Sequence, residues 1–422
     1  MAESDAKVPV DPTRSGTFAP FRYPAFRAIW IANLWSSLGA TIQSVGAAWM
    51  MTDLAPSQHH LVALVQASAT IPIMLLGVPA GAIADNFDRR RVMLTAQIAM
   101  LIVSALLAVL TWQGLVTPYL LLALTLTIGM GTALNSPAWQ ASVRHQVGPR
   151  DLPQAISLNT IAFNLARSVG PALGGLLISL WNVGLAFGLN ALSYIGMIVV
   201  LWRWRPGTEP PLRRPMLPAI VEGVRYCAAT PAIRKLLLRG GTLGFGVAGY
   251  QALVPAVVRD RLHGDELDFG LMLGAFGIGS IIAAFLVAPA RRRWGSEAAV
   301  TASTLFFVVA QFVLAQAHSL GQALPATFFA GAGWVSALTT INVAMQMRSP
   351  EAILGRCLSI YQAVTFGGMA LGAWAWGVVA DWRDLPFALH GAGAWLIATL
   401  VLMRLFAPMP KPHEGRVAPP RT

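Results

Sequence analysis

The sequence predicts an all-α membrane protein whose twelve transmembrane helices form two pseudo-symmetric bundles of six. Composition is the first observation, since 55% of the 422 residues are hydrophobic and only 11% are charged, whereas soluble domains carry about 25% charged residues. The second observation is a series of twelve apolar runs of membrane-spanning length. The third is a repetition of sequence features between the two halves of the chain.

The apolar runs, numbered here as spans 1 to 12, fall into two sets of six. The first set lies near residues 26–50, 62–84, 92–112, 118–137, 157–180 and 183–202. The second set lies near residues 236–257, 269–289, 297–316, 321–346, 357–380 and 385–406. They predict an N-terminal bundle over residues 25–205 and a C-terminal bundle over residues 233–407, with tails at residues 1–24 and 408–422.

A proline-rich linker, predicted over residues 206–232, separates the two sets of spans. Its later part continues into the next span, and Ile220 to Leu238 can form one amphipathic helix at the lipid surface. That helix would present four basic side chains to the lipid headgroups, namely Arg225, Arg234, Lys235 and Arg239.

Two short glycine motifs mark an internal repeat. Span 5 contains Gly170-Pro171-Ala172-Leu173-Gly174, and span 11 contains Gly368-Met369-Ala370-Leu371-Gly372. The loops after spans 2 and 8 also match, because each carries three consecutive arginines. Duplicated halves are how secondary transporters build two bundles around a site in the middle of the membrane.

Basic residues are distributed unevenly between the two sides of the predicted topology. Of the 30 Arg and Lys residues, 26 fall on the side of the termini and the linker, three fall on the opposite side, and Arg167 falls inside span 5. Cytoplasmic loops are enriched in Arg and Lys, so both termini are expected in the cytoplasm. The formal net charge of +12 is therefore a signal of topology, and no nucleic-acid partner is expected.

The loop between spans 2 and 3 has the pattern G-x-x-x-D-x-x-x-R-R, formed by Gly81, Asp85, Arg89 and Arg90. It resembles the signature loop of the major facilitator superfamily. Further stretches resemble the enterobactin-exporter-like branch of that superfamily, among them residues 136–141, 164–167, 170–175, 190–194 and 222–226. The resemblance implies a multi-pass secondary transporter of the inner membrane that works by alternating access around a cavity between the two bundles.

The resemblance also implies roles for two groups of residues. A cytoplasmic gate that holds the outward-open state would consist of Gly81, Asp85, Arg89 and Arg90. In the alternative, the arginines act only as orientation signals and Asp85 caps a helix. A hinge typical of antiporters would consist of Gly170, Pro171, Gly174 and Gly175, since proline removes a helical hydrogen bond and glycine permits close packing. In the alternative, these residues only pack.

Arg167 is the strongest candidate for substrate binding, because it falls near the middle of span 5. A guanidinium at this depth is costly unless it faces water or a partner, so it is a functional-site hypothesis. It shares a helix face with Thr160 and Asn164 and would attract an anionic or polar group of the cargo. The alternative is a structural role, in which Arg167 bonds carbonyls or braces span 5 against a neighbour.

Other polar residues are candidates to line the same cavity, although each can instead make a hydrogen bond between helices. They lie in spans 1, 7, 10 and 11 and comprise Asn33, Ser37, Thr41, Tyr250, Gln251, Asn342 and Gln362. None of the 18 Asp and Glu residues falls near the centre of a span. Proton coupling therefore stays open, with Asp85, His390 and the cargo itself as routes and uncoupled transport as the alternative.

Together these observations predict a secondary transporter that exports an amphiphilic or anionic small molecule, such as a siderophore or a drug-like compound. An importer or facilitator of a metabolite or lysolipid is the alternative within the transporter class. The sequence has no metal-ligand spacing, no Ser-His-Asp set and no phosphate-binding loop, so an enzyme is not expected. No cofactor or metal is expected, and the expected partners of the monomeric chain are the lipid bilayer and a small-molecule substrate.

Overall fold

A computed structural model of the chain describes residues 18–205, 216–350 and 353–409, and in these ranges the protein is helical without strands. Six helices precede the linker: α1 (Pro24–Leu54), α2 (His59–Asn86), α3 (Arg89–Trp112), α4 (Pro118–Ser142), α5 (Leu152–Leu180) and α6 (Val183–Arg203). Six more follow residue 215: α7 (Met216–Ala229), α8 (Pro231–Ala256), α9 (Glu266–Gln316), α10 (Leu320–Gln346), α11 (Leu354–Trp382) and α12 (Leu385–Phe406).

The twelve predicted spans can each be assigned to these helices. Ten helical stretches in the described ranges are long and apolar enough to cross a membrane. One of them, α9, contains spans 8 and 9, because Gly295 at φ +85° breaks its helical backbone. That backbone conformation favours glycine, which has no Cβ. The 31-residue α1 supplies the remaining span, and the short α7 belongs to the linker.

Five of the ten described helices after α2 begin with a side-chain cap, which satisfies backbone N–H groups that have no partner within the helix. The capping residues at α3, α4, α6, α9 and α12 are Asp88, Thr117, Asn182, Asp265 and Asp384. The residue immediately before α2 is Gln58, and its side chain makes no capping hydrogen bond. The N–H groups of α2 therefore need acceptors from elsewhere.

The predicted amphipathic helix over Ile220 to Leu238 is wrong in extent. The chain leaves the helical conformation at Thr230, which is extended at φ −92° and ψ 107°, and α8 begins at Pro231. A residue before proline is sterically biased away from the α conformation, which accounts for the break. Arg239 also lies away from the lipid surface, because its side chain is only 3% exposed and pairs with Glu297.

The two halves pack in equivalent ways. In the first half α1 contacts α5 and α6, and in the second half α8 contacts α11 and α12. The glycine motifs occupy matching places, because Gly170 and Gly174 face α1 whereas Gly368 and Gly372 face α8. Between the halves, α2 packs on α11 and α5 packs on the first part of α9. The first part of α9 is the counterpart of α2, and α11 is the counterpart of α5. Exchanging the halves therefore turns one pair into the other, as a pseudo-twofold axis requires.

The bundle has two distinct ends. The linker end holds α7, the start of α1 and the end of α12, and the far end is the opposite one. At the far end the halves are joined by hydrogen bonds, among them Trp49 Nε1 to Glu266 Oε1 at 3.0 Å and Arg259 Nη1 to Thr52 Oγ1 at 3.0 Å. In mid-membrane, Ser168 Oγ donates to the carbonyl oxygen of Gly277 at 3.0 Å.

Candidate functional site

Helix α5 has a lipid face and an interior face. The lipid face is a stripe of exposed apolar side chains, Val169, Leu173, Leu176 and Leu180. Successive helical residues are about 100° apart, so Arg167 lies about 160° around the helix from Val169. Thr160 shares the side of Arg167, and both residues are exposed in the helical bundle. The exposed surface of Arg167 therefore faces the space between the halves and not hydrocarbon.

Arg167 lies near the middle of α5 and has no acidic partner among the residues that the structure describes. Its guanidinium carbon is 5.4 Å from the centre of the Phe163 ring, a cation–π distance. Phe163 is itself 51% exposed. An arginine on the interior face, with one aromatic neighbour and no counter-ion in the described part of the chain, can accept an anion from solution.

Close helix contacts flank Arg167 on both sides. A Cβ added at Gly170 would overlap Thr41 Oγ1 of α1, and Thr41 Oγ1 also donates to the carbonyl oxygen of Ala166 at 3.3 Å. On the other side, the Cα of Ser168 is in contact with Gly277 of α9. On the linker-end side of these contacts, Thr160 and Phe163 remain exposed. The crevice that holds Arg167 is thus closed by helix packing on its far-end side and accessible from the linker end.

A cavity of about 210 Å³ lies nearer the far end, between α1, α2, α4, α6, α8 and α9. Its polar lining is made of uncharged side chains, namely Gln43, Ser44, Gln66, Thr125, Thr132, Asn190 and Gln251. Phe269 closes one wall, and its ring stacks on Trp49 at 5.9 Å. A lining of amides and hydroxyls can hydrogen-bond a neutral polar group without the cost of burying a charge.

Gln43 is held in place by a network in the N-terminal half. Its Oε1 accepts hydrogen bonds from Ser104 Oγ at 2.8 Å and from Asn190 Nδ2 at 2.5 Å. Tyr194 OH lies 3.2 Å from the same Asn190 nitrogen. Because the oxygen of Gln43 is occupied, its NH2 group is available to the cavity that Gln43 lines.

The cavity is close to Arg167 along the membrane normal. Gly170 is level with Thr41, and Gln43 lies two residues further toward the far end on α1. Arg167 lies three residues from Gly170 in the opposite direction. At 1.5 Å per residue the two side chains start about 7 Å apart in height. The contact of Gly170 on Thr41 lies between them, so the cavity and the Arg167 crevice are neighbours that helix packing separates in this conformation.

Among the predicted cavity residues, Gln251 lines the cavity and Tyr250 does not. The Nε2 of Gln251 is buried without a hydrogen-bond partner among the described residues. Tyr250 is 1% exposed and packs between Phe276 and Phe307 in the C-terminal half. The prediction for Tyr250 is wrong for this cavity, because its ring is directed into the C-terminal half, where it packs against Phe276 and Phe307.

The other predicted cavity residues lie outside the lining of the 210 Å³ cavity. Asn33, Ser37 and Thr41 are half-buried on α1, and the Thr41 hydroxyl is engaged with backbone carbonyls of α1 and α5. Asn342 accepts a hydrogen bond from Gln346 at 2.6 Å near the linker end of α10. Gln362 is exposed on α11. The side chain of Asn164 lies outside the described residues, and all these roles remain predictions.

Three of the four predicted gate residues, Gly81, Arg89 and Arg90, have described surroundings. The side chain of Asp85 lies outside the described residues. Arg89 Nη1 lies 2.8 Å from His145 Nε2, and Arg90 donates to the carbonyl oxygens of Leu201 and Trp202 at 2.7 Å. These contacts stay within the N-terminal half. A Cβ added at Gly81 would meet no atom within 4 Å, so Gly81 is not in close packing in this conformation.

The predicted hinge residues of α5 lie in close packing. Gly174 faces Ile42 and Val45 of α1, and Gly175 lies against Gly270 of α9. The helix runs through Pro171 without a break. Bending at this point remains a prediction, whereas the glycines directly permit two neighbouring helices to approach.

An ion pair outside the spans connects the starts of α1 and α5 at the linker end. Arg22 Nη2 donates to Asp151 Oδ2, which also accepts from Tyr23 OH at 2.9 Å. The carboxyl group of Asp151 is buried. Its hydrogen bond with Arg22 lowers the pKa of Asp151 below its ordinary value, and the hydrogen bond from Tyr23 acts in the same direction.

Sequence reasoning missed Gln43, Gln66 and the two threonines of the cavity. The available signal was the amide side chain within an apolar run, since such groups in membranes either pair or line a cavity. Gln43 does both, because its oxygen is bound within the bundle and the residue lines the cavity.

Comparison with known proteins identifies a family and a fold. The family described as "Transmembrane secretion effector" matches residues 15–419. The chain is 28% identical over 410 residues to proteins named enterobactin exporter EntS from Shigella boydii serotype 18 and from Escherichia coli O1:K1, with 92% of this chain and 94% of each relative covered.

Solved transporter structures share the fold at much lower identity. The nucleoside transporter NupG (D323A mutant) superimposes with a TM-score of 0.75 at 11% identity, covering 90% of this chain and all of that one. A D-xylose–proton symporter gives 0.71 at 14% identity, with 94% of this chain and 100% of the other covered. A bacterial homologue of the iron transporter ferroportin, in an inward-facing state, gives 0.71 at 15% identity, with 91% and 98% covered.

Proposed function

Because the chain belongs to the transmembrane secretion effector family of the major facilitator superfamily, we propose that this membrane transporter exports an amphiphilic or anionic small molecule. Its two halves would alternate access to one site between them. Exporters of enterobactin at 28% identity support this direction of transport.

The single observation that carries the cargo class is the position of Arg167. Its guanidinium lies on the interior face of α5 without an acidic partner among the described residues, with only the Phe163 ring in cation–π contact. A lone cation in mid-membrane is costly, and an anionic ligand offsets that cost when it binds. The cargo therefore carries an acidic or strongly polar group.

The neighbouring cavity supports an amphiphilic cargo with a neutral polar part. Gln251 offers an unpaired amide nitrogen, while Phe269, Leu273 and Val65 supply apolar walls. A cargo that passed from Arg167 into the cavity as the halves rearrange would meet both polar groups and bury its apolar surface. Uncharged, strongly hydrophilic molecules would leave Arg167 without an anion and bind weakly.

The conformation is consistent with a state that loads cargo from the linker end. The far end is closed by contacts such as Trp49 to Glu266, and the face of Arg167 is accessible from the linker end. The concentration of Arg and Lys residues at that end is typical of the cytoplasmic side. Cargo would therefore enter from the cytoplasm and leave after the far end opens.

The test is transport by purified protein in liposomes, with enterobactin as the first probe and the anionic dye carboxyfluorescein as the second. Replacing Arg167 by Ala should lower the rate for a transported probe at least tenfold, about 1.4 kcal/mol of lost binding. Replacing Arg167 by Lys keeps the charge but loses the planar donor geometry, so an intermediate rate is expected.

The matched control is Val169→Ala, which changes a lipid-facing residue of the same helix and should leave transport near the wild-type rate. Full transport by Arg167→Ala would contradict the proposed cargo site. Direction is tested separately in cells loaded with the probe, with and without an uncoupler. Net accumulation in place of efflux would favour the alternative, an importer or facilitator of a metabolite or lysolipid.

A further inference from the structure

Two adjacent histidines join the halves at the far end. His59 and His60 begin α2, and both contact Asp381 at the end of α11. The backbone N–H groups of the same two residues also donate to the Asp381 carboxylate, at 2.5 Å and 3.2 Å. Asp381 thus caps α2 from the opposite half, in the place where Gln58 makes no capping bond.

The contacts of His59 require both ring nitrogens to carry a proton. Its Nδ1 lies 3.2 Å from Asp381 Oδ1, and its Nε2 lies 3.0 Å from Asp260 Oδ2, which follows α8. Ionised carboxylates only accept hydrogen bonds, and a neutral imidazole has a single N–H to donate. The geometry is therefore that of an imidazolium between two carboxylates. His60 needs only a proton on Nδ1 for its one contact with Asp381.

Other charges near this cluster have partners of their own. Arg259 pairs with Asp53 and Thr52 of α1, next to Asp260. Arg383 lies over the Phe387 ring at 4.5 Å, and Asp384 accepts from the backbone N–H of Phe387. The two carboxylates that face His59 are consequently balanced by the histidines. When His59 is neutral, one of its two contacts becomes a contact between two acceptors, which is repulsive.

These four side chains remain partly accessible, with exposures of 19% for His59, 32% for His60, 24% for Asp381 and 35% for Asp260. Protons can therefore exchange with solvent at the far end. Only three of the 30 Arg and Lys residues fall on this side of the predicted topology, which is typical of the outer face. Histidine is the side chain whose ordinary pKa lies closest to the pH values met outside a cell.

We propose that His59 is a proton-binding site that controls the far end of the transporter, closed when His59 is protonated and released when it is neutral. A proton from the outer side stabilises the state that is open at the linker end, because it binds that state more tightly. If one proton is bound only in the closed state, the ratio of closed to open molecules changes by at most about tenfold per pH unit. The site links transport to outer pH without a carboxylate in mid-membrane.

The test measures the opening of the far end directly and needs no cargo. The full chain, in lipid nanodiscs, carries spin labels at Ser57→Cys and Ser319→Cys, which are exposed far-end positions on opposite halves. The native cysteines Cys227 and Cys357 are buried and should not react. Double electron–electron resonance spectroscopy then measures the distance between the two labels at pH values from 5.5 to 8.5.

The wild-type background should show one short distance at pH 5.5 and a growing population at longer distance toward pH 8.5. His59→Gln keeps hydrogen-bonding groups but cannot titrate, so its distribution should be the same at both pH values. His318→Gln removes another exposed histidine at the far end and should retain the wild-type response. Arg259→Gln loosens an independent contact, so the open population should rise at both pH values while the pH response persists.

An unchanged distance in the wild-type background across this pH range would overturn the proposal. A full pH response in His59→Gln would overturn the proposal as well, because a group other than His59 would then be the one that titrates. The proposal depends on the transporter fold and not on Arg167. A negative result here therefore does not contradict the proposed cargo site, and a negative result for Arg167→Ala does not contradict the role of His59.

Discussion

Gly175 of α5 and Gly270 of α9 meet backbone to backbone, since a Cβ added to Gly175 would stand 2.6 Å from the Cα of Gly270. The contact joins the two halves between mid-membrane and the far end. Side chains larger than hydrogen at either position would separate the helices, because the neighbouring atoms belong to backbone and cannot rotate away. Closure of the far end thus depends on this glycine pair.

Replacing Gly175 by Val should therefore prevent the far end from closing. We expect transport to fall more than tenfold while membrane insertion is retained, and the far-end label distance to be long at every pH. The control is Gly196→Ala, because a Cβ at Gly196 meets no atom within 4 Å. Normal transport by Gly175→Val would show that the halves can close without this contact.

Replacing Gln251 by Leu should weaken cargo binding. Gln251 lines the cavity, and the change removes its amide nitrogen, which has no hydrogen-bond partner among the described residues. Loss of one hydrogen bond to cargo corresponds to about a three- to tenfold rise in KM for transport. Transport rates at several enterobactin concentrations measure this. Gln113→Leu, an exposed change between α3 and α4, serves as the control. Equal KM values in both variants and the wild type would remove Gln251 from the cargo site.

Replacing Arg239 by Met should destabilise the C-terminal half. Arg239 is 3% exposed, pairs with Glu297 at 2.8 Å and donates to the carbonyl oxygen of Ala407 at 2.7 Å. Breaking the pair leaves the partly buried carboxylate without its cationic partner and the carbonyl oxygen of Ala407 without the guanidinium donor, at a cost of about 3 kcal/mol. Arg356→Gln, which breaks the more exposed pair with Glu222, should cost less than about 1 kcal/mol. Unfolding in detergent compares the two, and equal losses would contradict the expected difference.

The pair of Asp151 and Arg22 predicts an acid-dependent loss of stability. The pKa of Asp151 is lowered in the folded state, chiefly by the hydrogen bond from Arg22. Its stabilisation is complete above the ordinary pKa of 3.8 and disappears as pH falls through the lower folded value. Wild type and Asp151→Asn should therefore differ in melting temperature by a constant amount from pH 8 to pH 5, and converge below pH 4. A difference that shrinks between pH 7 and pH 5 would assign the effect to another group.

The α5 site illustrates how far sequence reasoning reaches. Arg167 could be found from its depth in an apolar run, because a charge in that position is rare for a physical reason. The shared face of Thr160 and Arg167 followed from helical spacing. Spacing does not reveal which neighbour a face meets, so Tyr250 was assigned to the cavity although it packs in the C-terminal core.

The sequence by itself determined that the chain crosses a membrane many times as helices, because hydrocarbon leaves a long apolar run no other way to satisfy its backbone. It also determined the division into two halves and the family, through repeated motifs and the loop from Gly81 to Arg90.

Only the tertiary structure decided which polar groups meet. The capping of α2 by Asp381, the contact of His59 with Asp260 and the pairing of Arg239 with Glu297 all join residues far apart in the chain. Such contacts depend on how helices rotate and slide against one another, and that is set by packing over the whole bundle and not by the local sequence of any one helix.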